Sequence, residues 1–257
     1  MNTKKTKIFL MTLVLVLTLA SIVKANDGFN VPLGAENATV IRSETANTTL
    51  YPAAMVPAIA GNLTELNITG VTQTKSWQGF FGNVSGTIIL EDSSGFRFYD
   101  WTAAEPQGQV YASVNQTISW TSIDCADISD PTFRLSWYNF YGMLDTDYDN
   151  INITYPYDDH PEFYVGFENI TGCRTTYTFV NDERQDPLGD RDFPAVLLAD
   201  ENDALIFTAI LENRTIGARD GITGYDGGNY DFQLLVAENG QFGNSDTTPY
   251  YFWVEIH

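Results

Sequence analysis

Positive charge is what this chain has least of. Lysine and arginine total 13 of 257 residues against 33 aspartates and glutamates, a formal net charge of -20. Four of the five lysines (Lys4, Lys5, Lys7, Lys24) fall in the first 24 residues, leaving Lys75 and eight arginines for the rest. Acid is not in excess: the charged fraction is 18%, below the ~25% usual for soluble domains, so the imbalance is a shortage of bases. Binding nucleic acid needs clustered Lys and Arg, and that partner class is excluded.

Histidine is nearly absent too, with only His160 and the terminal His257. Any Ser-His or Cys-His nucleophile must therefore use His160, and Asp158-Asp159-His160-Pro161 reads as a turn with a solvated imidazole. The patterns H-E-x-x-H, G-x-x-x-x-G-K, G-x-G-x-x-G and G-x-S-x-G do not occur; Gly82-Asn-Val-Ser85-Gly86 has the wrong spacing. A carboxylate-pair glycosidase is made by the fold and not by spacing, and nothing singles out one pair among 33 acids. The expectation is no enzyme and no catalytic residue.

Long apolar runs are missing except at the start. Basic Lys4, Lys5 and Lys7 precede an apolar stretch from Ile8 to Val23, and Val23-Lys24-Ala25 ends in the small residue a signal peptidase favours. That stretch is short for a membrane span of about 20 residues, so residues 1–25 read as a signal peptide; an uncleaved anchor is the alternative. After cleavage no membrane association is expected, and the location is extracellular or at the cell surface. Cysteine is scarce but even: Cys125 and Cys173 are expected to pair in an oxidising compartment. A metal site would need more ligands than these two and His160 supply.

Asn-x-Ser/Thr is what the chain has in abundance. Acceptor sites stand at Asn37, Asn47, Asn62, Asn67, Asn83, Asn115, Asn152, Asn169 and Asn213, where composition alone gives about three. N-linked glycans are therefore expected partners. The competing explanation is that Asn and Thr are simply common in a β-rich surface protein.

Short β-branched and aromatic runs, separated by Gly, Asn, Asp and Pro, recur along the chain. Candidate strands are 84–91, 95–101, 108–114, 132–138, 151–155, 162–167, 175–180, 194–199, 204–211, 231–237 and 249–256. Residues 249–256 are aromatic on both faces and read as a central strand. No window holds a helical period beyond a short turn at 121–129. The fold expected is all-β, a β-sandwich of jelly-roll or Ig-like type over 73–257. In Ile151-Asn152-Ile153-Thr154-Tyr155 and in Leu66-Asn67-Ile68-Thr69, alternation would place acceptor residues on one strand face and apolar residues on the other.

Residues 26–72 read differently, as an extended N-terminal arm. Tyr51-Pro-Ala-Ala-Met-Val-Pro-Ala-Ile-Ala60 is uncharged, and its two prolines keep it extended. Such a piece must lie across its own domain or complete a neighbour's sheet as a donated strand. Thr39-Val40-Ile41-Arg42 is a second candidate for donation, and an ordinary N-terminal edge strand with a linker is the plain alternative.

Calcium is the one cofactor to weigh. Asp145, Asp147 and Asp149 alternate hard oxygen ligands in one loop, although the run is no EF-hand, with Asn150 at position six and Pro156 at position twelve. Turn aspartates adopt such positions without any metal. Aromatics make up 14% of the chain, mostly in strand runs at period two, which favours a core over a sugar platform.

The stretch Lys75-Ser-Trp-Gln-Gly-Phe-Phe-Gly-Asn-Val-Ser-Gly-Thr-Ile-Ile-Leu-Glu-Asp92, with Phe98-Tyr-Asp-Trp101, resembles a group of secreted archaeal β-rich glycoproteins. So do Asp231-Phe-Gln-Leu-Leu-Val-Ala-Glu-Asn-Gly240 and Thr248-Pro-Tyr-Tyr-Phe-Trp-Val-Glu255. The resemblance spans roughly 73–257 and carries no reaction. β-sandwiches with such an arm and many glycans are similar to extracellular fibre subunits joined by donated strands. It implies a structural subunit of a fibre, pilus-like or other surface assembly, partnered by copies of itself. A secreted carbohydrate-binding or accessory module is the alternative.

Overall fold

The computed structural model describes residues 31–43, 55–70, 74, 76–103, 107–181, 183–184, 191–212, 222–239 and 247–256. Residues 1–25, Asn47 and Asn213 lie outside them. The order of elements is β1 (Leu33–Gly34), β2 (Trp77–Gly82), β3 (Gly86–Glu91), β4 (Arg97–Ala103), β5 (Gly108–Ser113), β6 (Ile123–Cys125), α1 (Pro131–Tyr141), α2 (Ile151–Thr154), β7 (Phe163–Val165), β8 (Glu168–Ile170), β9 (Thr175–Tyr177), β10 (Pro194–Asp200), β11 (Leu205–Ile210), β12 (Ile222–Thr223), β13 (Asn229–Tyr230), β14 (Phe232–Ala237) and β15 (Tyr251–Ile256).

Strands dominate and every pairing is antiparallel, so the fold is all-β. One seven-stranded sheet runs β1-β15-β5-β11-β10, with β6 and β9 end to end along the far edge of β10. Its central strands are apolar without alternation because both faces are covered. On β10, Ala195, Leu197 and Ala199 join one core while Val196 and Leu198 join the other. On β11, Leu205, Phe207 and Ala209 face the first core and Ile206 the second. A strand wetted on one side alternates; one buried on both sides reads as a continuous run.

The first core is closed by a second layer. β14 pairs with β2 and packs on β11 and β10, while α1 adds Phe133, Tyr138 and Tyr141. Sheet packs on sheet as a sandwich requires, but the second layer is two strands wide and helix fills the remainder. The other core is closed by the β7–β8 hairpin and by Ile118, Ile123 and Trp120. There Trp120 packs against Tyr111 and Trp253, with ring centroids 5.0 and 5.5 Å away.

Two expected strands are helices. Over 132–138 the end signals override β propensity. Asp130 caps the first turn through Thr132 N (2.9 Å), Pro131 opens the helix, and Gly142 stops it at φ 66°. Phe133, Trp137, Tyr138 and Tyr141 then fall on one helical face toward the core. At 151–155, Asn150 Oδ1 accepts from Ile153 N (3.0 Å) and starts the single turn α2 instead. Residues 66–69 are not in a strand, and Leu66 and Ile68 are exposed. β15 is not central either: β5 pairs along its whole length, but on its other side stand only the two residues of β1.

Candidate functional site

The arm meets the body at two places. Leu33 pairs with Val254 and Gly34 with Trp253, and Ala35 N donates to Phe252 O at 2.9 Å. Nine residues on, Arg42 forms an ion pair with Asp226, donates to Tyr230 Oη at 3.2 Å and lies 5.1 Å over the Phe81 ring. The Gly228 amide and Arg42 together hold the Asp226 carboxyl below the usual carboxylate range. Between the two anchors Val40 and Ile41 are exposed, Ile41 almost completely.

Residues 55–70 contrast with that docking. Every residue of the segment is exposed, including Met55, Val56, Ile59, Leu63, Leu66 and Ile68. One turn hydrogen bond, Asn62 N to Ile59 O at 3.2 Å, is all the backbone pairing recorded there among the described residues. Glu65 is its sole charge. A run of six large apolar side chains in water is the exception for a chain whose core is otherwise well filled.

A second exposed apolar surface stands on the body. The β3–β4 hairpin pairs with no other sheet among the described residues, and Phe96, Phe98, Tyr99 and Trp101 stand out from it, Phe98 at 86% exposure. Tyr99 and Trp101 touch, with centroids 4.4 Å apart and planes inclined by 55°. An isolated two-stranded ribbon is marginal in water, so this hairpin gains from a covering partner.

The seven acceptor asparagines that fall within the described residues, Asn37, Asn62, Asn67, Asn83, Asn115, Asn152 and Asn169, are all exposed. That meets the steric requirement for a glycan. Cys125 and Cys173 form the expected disulfide, Cα atoms 4.9 Å apart. It joins the end of β6 to the segment entering β9, clipping together the two short strands that share β10. Cys173 N donates to His160 Nε2 at 3.0 Å, and His160 Nδ1 lies 2.9 Å from Pro161 O. Both imidazole nitrogens are thus occupied locally, and His160 serves the loop beside the disulfide.

The aspartates proposed for calcium do separate jobs. Asp145 pairs with Arg134 at 3.2 Å, Asp147 accepts from Leu144 N at 2.7 Å, and Asp149 accepts from Thr74. Among the described residues no group of three or more His, Cys, Asp or Glu side chains gathers to hold a metal. Elsewhere a cleft of about 190 Å³ is lined by Asp124, Asp127, Asp130, Asp200, Glu201 and Asp203. Its carboxylates mostly cap turns: Asp200 alone accepts from Ser119 N, Asn202 N and Ala204 N.

Sequence reasoning missed the Arg42–Asp226–Tyr230 anchor. A cation and its partner 184 positions apart leave no local pattern, although the scarcity of bases marks any single arginine as worth placing. No protein-family model, no curated protein and no solved structure matches this chain.

Proposed function

We propose that the protein is a structural subunit of an extracellular fibre, pilus-like or other cell-surface assembly of archaeal type, N-glycosylated and built from copies of itself. The arm, residues 38–60 above all, completes a neighbour's sheet. The observation that carries this reading is the exposure of residues 55–70. An apolar, nearly uncharged segment that its own body leaves uncovered is stabilised by moving onto a partner. Burying half a dozen such side chains contributes on the order of 10 kcal/mol before ordering costs, enough to drive association. Support comes also from the β15 edge, which β1 covers over only two residues. Edges left open invite another chain.

The test is removal of residues 38–60. The full secreted chain should sediment as large species and the deleted chain as a folded monomer. Adding a synthetic 38–60 peptide should give a one-to-one complex with the deleted chain. A full-length chain that stays monomeric at all concentrations contradicts the proposal.

The carbohydrate-binding reading draws on the Tyr99–Trp101 pair. Its rings are tilted where a pyranose platform needs them side by side in one plane, so it ranks second. Loss of polysaccharide binding in Trp101→Ala, with assembly intact, would favour it.

A further inference from the structure

The scarce arginines gather around one cleft. It has a volume of about 170 Å³, and its lining includes Ile153, Thr154, Tyr157, Tyr177, Phe179 and Arg184. Three of the chain's eight arginines stand at or beside it. Arg191 pairs with Asp159 and lies 5.7 Å over the Tyr177 ring. Arg174 Nη1 donates to Pro156 O at 3.1 Å, and its Nη2 donates to Asn152 Oδ1 at 3.2 Å. Arg184 is exposed and has no hydrogen bond or ion pair among the described residues. The rings of Tyr157 and Tyr177 lie 5.9 Å apart, and the Tyr177 hydroxyl is tied to Asp159 O, which fixes one wall.

The cleft begins at a glycosylation acceptor. Ile153 and Thr154 belong to the Asn152-Ile153-Thr154 triplet itself. Arginine is only a donor, so its bond to Asn152 identifies the oxygen of that amide and leaves Nδ2 on the other side. Nδ2 makes no hydrogen bond among the described residues, whereas Asn169 Nδ2 donates to Glu162 at 2.7 Å. The atom that would bear a sugar at Asn152 is therefore oriented and unencumbered.

We propose that this cleft is the seat of the glycan on Asn152. Its first rings fold back against Tyr157, Tyr177 and Phe179, while Arg184 pairs with sugar hydroxyls or an acidic substituent. This rests on the reading of the acceptor sites as glycosylated. Attachment joins Nδ2 to C1 of the first sugar; the amide proton and the phosphate-linked carrier of an activated glycan donor leave. The apolar faces of sugar rings stack on aromatic side chains, and a guanidinium fork matches paired oxygens. The room available suits one or two rings rather than the larger ligands that fill sites of ~300–1,000 Å³. A glycan so held covers aromatic surface and stiffens the loop between α2 and β9.

Hydroxyl-radical footprinting of the natively secreted protein, with glycopeptide mass spectrometry at each acceptor, tests this. Tyr157, Tyr177 and Phe179 should be oxidised several-fold faster in Asn152→Gln than in the native protein and at the native rate in Asn83→Gln. Arg184→Gln should give a smaller rise with Asn152 still occupied. An occupied Asn152 with unchanged oxidation in Asn152→Gln overturns the proposal. So does a bare Asn152 in a protein glycosylated elsewhere, including one whose cleft is protected only by added free oligosaccharide. If no acceptor carries sugar, the glycoprotein reading itself fails and takes this assignment with it.

Discussion

Glu212 follows β11, where its carboxylate accepts the Phe193 amide. Burial pushes it up to about 7, against 4.5 for an ordinary glutamate, with the nearby Asp192 charge adding in the same direction and the Phe193 bond opposing. The sign follows from proton binding. Between pH 4.5 and 7 the folded chain holds a proton here that the unfolded chain has lost. Stability therefore falls as pH rises through that window, by up to about 3 kcal/mol. Glu212→Gln keeps an acceptor for Phe193 and removes the titration. Urea unfolding at pH 4.5 and 7.5 should show a smaller pH dependence in the variant; equal slopes in both proteins would refute this. At Asp130 the matter is simpler. Asp130→Ala leaves Thr132 N without its cap and should lower stability by about 1 kcal/mol.

At the scale of elements, the disulfide and α1 make opposite points about what a sequence discloses. The pairing of Cys125 with Cys173 was legible because two cysteines in an exported chain leave one choice. Closing that 48-residue separation contributes about 4 kcal/mol on the chain-entropy estimate. Cys125→Ser with Cys173→Ser should lower the unfolding free energy by about 2–5 kcal/mol, read from denaturant titration. α1 was missed because Phe, Trp, Tyr and Thr favour strands, and its aromatic stripe was read at period two. Asp130-Pro131 and Gly142 carried the correct reading in the chain's own punctuation. β10 and β11 were found, yet their unbroken apolar character gave no hint of which layer would cover each face. The arm was legible by composition; the Arg42 anchor that ties it to Asp226 was not, because its partner is brought near only by the fold.

For the whole molecule, the shortage of bases acquires a spatial meaning. Of the few arginines, Arg42 fastens the arm, Arg134 braces the α1–α2 loop through Asp145, and Arg174, Arg184 and Arg191 surround the Asn152 cleft. The remaining surface is left to acids, exposed acceptor asparagines and two uncovered apolar features, the 55–70 segment and the β3–β4 hairpin. In the assembled state both features should lose exposure together, one as the strand that is given and the other as surface near the contact. Electron microscopy of the natively secreted protein, alongside the form lacking residues 38–60, examines this most directly. Filaments or ordered arrays from the full chain, and dispersed single particles from the shortened one, are the predicted result. Dispersed single particles from both, with residues 55–70 packed on their own body, would contradict it.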